Sequence, residues 1–229
     1  MRLRSTFPAA LVAAGVAYFA FVPSTEPMEP AAVAGATAVA ASQGIRLTTA
    51  PEGNEARFRV REQLASVSFP SDAIGSTTAI TGTIVFEPNG AIVKDNSSFT
   101  VDLTTLKSNS DRRDNYIRRR TLETETHPNA LFVPTSFLGL PDTLPANGHI
   151  AFQLTGDLTV HGVTRPVTWT VTVRAENGIY SGNATTGFKF DYFEMAVPRV
   201  ASVLSVVDSI TLEYDFRLIP VPNPQSTRP

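Results

Sequence analysis

The stretch "GDLTVHGVTRPVTW", residues 156–169, decides the fold. Leu158 and Val160 share one parity before the His161-Gly162 pair, and Val167 and Trp169 share one parity after it. A period of two is the strand period, and a two-residue break containing Gly between two such runs is a hairpin signal. His161 follows Leu158 and Val160, so its side chain falls on the polar parity. A structural hydrogen-bonding role in the corner is the reading preferred over catalysis or metal binding. None of the three histidines (His127, His149, His161) sits in an HExxH, HxH or similar ligand spacing.

Outward from this corner the same period runs through the chain from about Ile45. "ARFRVRE" sets Phe58 and Val60 against Arg57, Arg59 and Arg61. "AITGTIVF" aligns Ile80, Ile84 and Phe86, and "FTVDL" aligns Phe99, Val101 and Leu103. "IAFQLTGDLTV" aligns Phe152, Leu154 and Leu158, and "VTWTVTV" sets Val167, Trp169 and Val171 against a row of threonines. "YSGNATTGFKF" aligns Tyr180, Ala184, Phe188 and Phe190, and "ITLEYDF" aligns Ile210, Tyr214 and Phe216. One apolar and one wet face per strand is the mark of an antiparallel sheet. Turn signals separate the runs at Asn89-Gly90, Asn147-Gly148 and Asn177-Gly178. About eight such strands with short connections predict an all-β closed barrel or a sandwich.

One segment departs from this period. "SNSDRRDNYIRRRTLE", residues 108–123, is the single helical candidate, with Ser110 as N-cap and Asp111 and Asp114 in the first turn. Asp114 and Arg118 are spaced for an i,i+4 pair. A lone helix inserted between barrel strands is expected at one end, as a lid or plug. Its arginines (Arg112, Arg113, Arg118, Arg119, Arg120) stand among Asp111, Asp114, Glu123 and Glu125. They are read as a solvated face rather than an anion site.

Composition narrows the function classes. The 229 residues carry a formal net charge of −2, which argues against a nucleic-acid partner held by charge. There is no cysteine, so disulfides, thiolate nucleophiles and Cys-ligated zinc are excluded. Arg2 and Arg4 precede an apolar run from Ala9 to Val22, a basic region followed by a short apolar core. Residues 1–22 are therefore expected to be an export signal, or an uncleaved N-terminal anchor that associates the protein with a membrane. Residues 23–43 read as a flexible linker, 44–219 as the folded domain and 220–229 as a disordered tail. An extracytoplasmic location, periplasmic or secreted, follows as an expectation.

The remaining motifs for chemistry are missing. There is no GxSxG elbow, no SxxK, no glycine-rich phosphate loop and no acid-base couple marked by its surroundings. No catalytic residue, cofactor or metal is expected. The aromatic content carries more. Phe58, Phe86, Phe99 and Phe132 fall mostly on the inward parity, as do Phe152, Trp169, Phe188, Phe190 and Tyr214. An eight-stranded barrel is of the size whose interior is either filled by side chains or holds one small ligand. The residues alone leave three readings open: a carrier, a filled structural or interaction module, and an enzyme such as a cyclase or isomerase on the same barrel. The enzyme would need a polar inward residue of perturbed pKa. Among the inward positions of the strands above, Thr186 and Tyr214 are the polar ones.

"DRRDNYIRRRTLETETHPNALFVPTSF" followed by "GDLTVHGVTRPVTW" resembles the YceI-like family of lipid-binding proteins. The resemblance rests on Arg113-Asp114 opening a helix, on His127-Pro128 with Phe132 entering the next strand, and on the Gly156–Val167 hairpin. It covers roughly residues 45 to 218. The approach to the last strand, "FEMAVPRVASVLSVVDSITLEYDF", departs from the family's commoner pattern. The resemblance implies an eight-stranded antiparallel lipocalin-like β-barrel with a helix at one end. It further implies an exported protein that holds a long polyisoprenoid chain, with the inward aromatics, Leu154 and Leu158 as its lining, and a possible homodimer.

Overall fold

The computed structural model describes residues 44–66, 68–141 and 143–221. The expected leader or anchor, the linker and the tail from residue 222 lie outside the described residues. Eleven strands form one antiparallel sheet. They are β1 (Ile45–Thr49), β2 (Glu55–Leu64), β3 (Ser71–Thr77), β4 (Ile80–Phe86), β5 (Ser98–Asp102), β6 (Lys107–Ser108), β7 (Asn129–Leu138), β8 (Gly148–Val160), β9 (Val163–Glu176), β10 (Ile179–Phe188) and β11 (Val203–Val221). The sheet closes where Leu47 of β1 faces Pro220 of β11.

The register reduces these eleven strands to eight staves. Along β11, Thr49 of β1 faces Leu218 and Glu55 of β2 faces Asp215, so β1 and β2 are two halves of one interrupted stave. Next to it, β3 faces β2 and β4 faces β1, which makes β3 and β4 a second broken stave. Likewise β5 and β6 face β4 and β3 and form a third. The other five, β7 to β11, run without a break in the chain. This is the expected eight-stranded antiparallel barrel, and closure leaves no free edge to template aggregation. β11 carries on through Pro220 and Val221, two residues beyond the expected domain end.

The hairpins follow their turn chemistry. Val160 pairs with Val163 across His161 (φ 53°) and Gly162 (φ 75°), and Glu176 pairs with Ile179 across Asn177 (φ 52°) and Gly178 (φ 77°). Two consecutive left-handed residues make a type I′ turn, whose twist matches the flanking strands. Inside, Val171, Val173, Ala175, Leu47 and Leu158 are buried, in line with the alternation of their strands.

Outside, charge is laddered across strands. Arg57 binds Glu213 at 3.2 Å and Asp215 at 2.5 Å, and Arg59 binds Glu213 and Asp72, each at 3.1 Å. Arg61 completes the row on Asp72 at 3.0 Å. The Arg59 and Arg57 guanidiniums hold the Glu213 carboxyl below the usual carboxylate range.

The helix is shorter than the sequence predicts. α1 spans Asp111–Tyr116 and passes into a single π turn, Ile117–Thr121, in which the Leu122 N–H donates to the Ile117 carbonyl at 2.8 Å. Ser110 caps it as expected, accepting from the Arg113 N–H at 3.4 Å. The expected Asp114–Arg118 pair does not form. Asp114 is buried and turns back to accept from the Ser108 N–H at 2.9 Å and its hydroxyl at 2.6 Å. Arg118 instead donates to the Leu106 carbonyl at 3.0 Å and to Asn115 at 3.2 Å. Local loop closure outweighs the exposed i,i+4 pair, which is worth only a few tenths of a kcal/mol.

Candidate functional site: the cavity of the barrel

The barrel is hollow, with a cavity of about 930 Å³. That is the upper end of the range for small-molecule sites. A filled barrel would leave no such space. The broken staves supply Phe58, Phe86 and Phe99 to its wall. The unbroken staves supply Phe132 from β7, Phe152, Leu154 and Leu158 from β8, Trp169 from β9, Phe188 from β10 and Tyr214 from β11. Phe190 also reaches the cavity, but from a 3-10 turn (Phe190–Phe193) rather than from the strand predicted for it. The chain leaves β10 at Phe188 and the turn swings Phe190 inward, while Phe193 fills the wall behind it with no exposure.

The rings pack as edges on faces. Phe132 and Trp169 meet with centroids 5.8 Å apart and planes at 69°, and Phe99 and Tyr214 at 6.2 Å and 65°. Such tilted pairs are the favoured aromatic geometry. Three glycines make room for rings. A Cβ on Gly75 would stand 2.3 Å from Phe58, one on Gly82 2.1 Å from Phe99, and one on Gly156 2.5 Å from Phe132.

Polar groups inside are few and most are engaged, the exceptions being the buried Trp169 Nε1 and Thr121 Oγ1, which have no hydrogen-bond partner among the described residues. The Tyr214 hydroxyl donates to Asn54 Oδ1 at 2.9 Å, and burial pushes its pKa up, so the phenol stays protonated. Burial also raises the Tyr180 phenol. Thr186 donates to the Thr168 carbonyl at 2.9 Å.

One polar residue on the inward parity of the sequence was missed, together with the helix arginine that meets it. Glu62 shares the parity of Phe58 and Val60 and is buried. Arg113 donates to it at 2.5 Å, with side-chain exposures of 19% for the arginine and 7% for the glutamate. The helix arginines are thus not one solvated face: Arg113 and Arg118 are tied inward, while Arg112, Arg119 and Arg120 are exposed. An acid in a run of inward apolar residues was the available signal for Glu62. Its partner could not be read, because 51 residues separate the two.

The cavity opens at the helix end. Its rim is formed by residues of the helical segment, by Leu64 at the end of β2 and Ser66 beyond it, and by Pro198, Val200 and Ser202 before β11.

His161 stands at this end but outside the cavity. Its Nδ1 lies 3.4 Å from the Phe193 carbonyl and its Nε2 3.7 Å from Glu123. His127 packs edge-on against it at 5.5 Å. These contacts tie the hairpin to the turn below and to the end of the π turn, a structural role. His149 is exposed, as its place beside the Asn-Gly turn predicts. Among the described residues no group of three or more His, Cys, Asp or Glu could hold a metal ion.

Known proteins share this architecture. The YceI-like domain profile matches residues 47–218. A UPF0312 protein of Pseudomonas putida is 36% identical over 115 residues, which are 46% of this chain and 56% of that protein. Protein YceI of Escherichia coli O157:H7 is 29% identical over 139 residues, 60% of this chain and 66% of its own. The alignments therefore span just over half to about two thirds of these relatives. Among solved structures, a polyisoprenoid binding domain from Saccharophagus degradans, implicated in plant cell wall breakdown, superposes with a TM-score of 0.58 at 12% identity. That match covers 76% of this chain and 98% of the other. BcnA of Burkholderia cenocepacia superposes at 0.52 with 17% identity, over 72% and 95%. At such identities the likeness concerns the fold.

Proposed function

This chain belongs to the YceI-like domain family, and from that premise we propose that it is an exported carrier that sequesters a long apolar lipid of polyisoprenoid type inside its barrel. The cavity carries the reading: about 930 Å³ walled by phenylalanine, leucine and the single tryptophan, with the Thr186, Tyr214 and Glu62 side chains already bonded to the protein. An isoprene unit brings about five carbons, so its burial contributes roughly 3 kcal/mol before ordering costs. A chain of several units needs no polar anchor to bind tightly. The polyisoprenoid binding of the Saccharophagus domain supports this choice of ligand class. The reading calls for no reaction: Tyr214 is bonded to Asn54, and Glu62 to Arg113.

Trp169 reports the test. Adding a long isoprenoid alcohol should change its emission. Phe152→Asp, on the cavity wall, should abolish that change, because an unpaired carboxylate in an apolar tube costs several kcal/mol or draws in water. Gln153→Asp, one residue along on the exposed face, should leave it intact. Equal loss from both variants, or an unchanged spectrum with every apolar chain tried, would refute the carrier. Export is tested separately by fusing residues 1–43 to a reporter that works only outside the cytoplasm. A silent fusion would refute that part.

A further inference from the structure

We propose that the open, helix-capped end of the barrel is a docking surface for an anionic phospholipid bilayer, through which the lipid cargo enters and leaves. The proposal rests on the carrier reading above. Four observations meet at this end.

The first is exposed apolar surface. Phe69 is 78% exposed, Leu204 69% and Val207 49%, three of the four most exposed large apolar side chains among the described residues; the fourth, Leu138, stands alone at the other end. Second, the register holds them together at the rim. Val203 pairs with Leu64 and Val206 with Glu62, the Ala65 N–H donates to the Ser202 carbonyl at 3.1 Å, and Phe69 lies on the connection that Glu62 and Ser71 close. Along β11, Val203 and Val206 line the cavity while Leu204 and Val207 point to solvent. The apolar tip is therefore continuous with the apolar interior.

Third, the charge beside it is cationic in a chain of net charge −2. Arg112, Arg119 and Arg120 edge the mouth, and Arg199 lies between Pro198 and Val200, which line it. None of these four guanidiniums has an ion-pair partner within 4 Å among the described residues, although Asp111 stands on the same helix and Glu123 and Glu125 follow directly after the π turn. Fourth, the opposite end differs in charge. It also exposes one apolar side chain, Leu138 at 73%, but beside it stand the polar Asn177-Gly178 turn, tied down by the Asn147 side chain at 3.0 Å, and an Arg174 neutralised by Glu176. Apolar side chains ringed by arginines are the composition that settles at the headgroup boundary of an anionic bilayer. A cargo leaving through this mouth then passes from one apolar phase to another and never meets water.

The absence of cysteine makes the test direct. In the full-length protein, Leu204→Cys and Asn177→Cys each receive one polarity-sensitive fluorophore. Phosphatidylglycerol vesicles should blue-shift the label at 204 and leave the label at 177 unmoved. Phosphatidylcholine vesicles should have a much weaker effect, and high salt should reduce the binding. Neutralising Arg112, Arg119 and Arg120 together should weaken partitioning to phosphatidylglycerol by tenfold or more, at roughly fivefold per arginine. Any segment within residues 1–43 is the same in all variants and cancels from the comparison. Equal shifts at both ends, or no shift at 204, would overturn the proposal. So would a shift at 204 that follows protein concentration without vesicles, which would assign this face to a second copy of the chain. Isoprenoid-dependent Trp169 emission, read on the same samples, separates a failed dock from a failed carrier.

Discussion

The two halves of the barrel wall are built differently. β8 and β9 run for 13 and 14 residues in a continuous ladder joined by a two-residue turn. Opposite them, the first three staves are all interrupted: residues 50–54 part β1 from β2, residues 78–79 part β3 from β4, and a 3-10 turn (Leu103–Thr105) parts β5 from β6. Each interruption frees backbone groups that a side chain then satisfies. Asn54, buried, donates to the Ala50 carbonyl at 2.8 Å and accepts from the Arg217 N–H at 3.1 Å. Thr77 accepts from the Ala79 N–H at 3.0 Å, and Asp102 from the Thr104 N–H at 2.9 Å. A regular wall needs only its own ladder. A broken one needs a polar residue at every break, because an unpaired buried backbone group costs about as much as a lost hydrogen bond.

The helix, the cavity mouth and the buried ion pair all adjoin the broken half, so the largest effect is expected there. Glu62→Ala would leave Arg113 without its carboxylate in a half-closed site. Breaking a buried pair by removing one partner costs roughly 3–5 kcal/mol. Arg113 keeps Asn109 at 2.6 Å and stays partly exposed, which places the loss near the lower figure, about 3 kcal/mol. Chemical denaturation of the two proteins measures it. The same substitution frees the helix from β2, so amide exchange in residues 111–121 should accelerate more than in β8 and β9. A loss below about 1 kcal/mol would mean that the pair behaves as an exposed one and that the helix is held by other contacts.

The same contrast explains what the sequence made legible. Period-two alternation identifies a strand only where it persists, and it persists in β8, β9 and β10, where Phe152, Leu158 and Trp169 fall on the predicted inner side. β1, with five residues, and β6, with two, are too short to show a period at all. The staves they complete emerge only from register with β11, β4 and β3, which is long-range information. The lining was legible because parity and side-chain type agree at those positions. Phe190 reached the cavity by a route that parity did not describe, since a 3-10 turn has no period of two. Glu62 and Arg113 were not read because each looks like a surface residue in its own segment, and only their meeting makes them interior. The arginines that line the mouth and those tied inward share one short sequence, and no local rule divides them.

Two glycine substitutions sharpen the comparison at the smallest scale. On β10 in the regular wall, a Cβ on Gly182 would lie 1.9 Å from the Thr172 carbonyl oxygen and 2.9 Å from Phe216. The oxygen belongs to the neighbouring strand β9 and cannot move without the ladder. On β3 in the broken wall, a Cβ on Gly75 would lie 2.3 Å from Phe58, but the atom it meets is the far edge of a ring. That ring borders the cavity and has space to turn into. Overpacking a fixed site costs about 1–3 kcal/mol or more, and a site that relaxes costs less. Gly182→Ala should therefore cost about 3 kcal/mol, and Gly75→Ala about 1 kcal/mol. Gly75→Ala carries a second signature: a displaced Phe58 narrows the cavity, so isoprenoid binding should weaken even though stability barely changes. Thermal unfolding and the Trp169 titration together read both outcomes. Equal destabilisation by the two variants would show that the wall around Gly75 is as rigid as the ladder around Gly182, and that the breaks in the first three staves leave the rings no freedom.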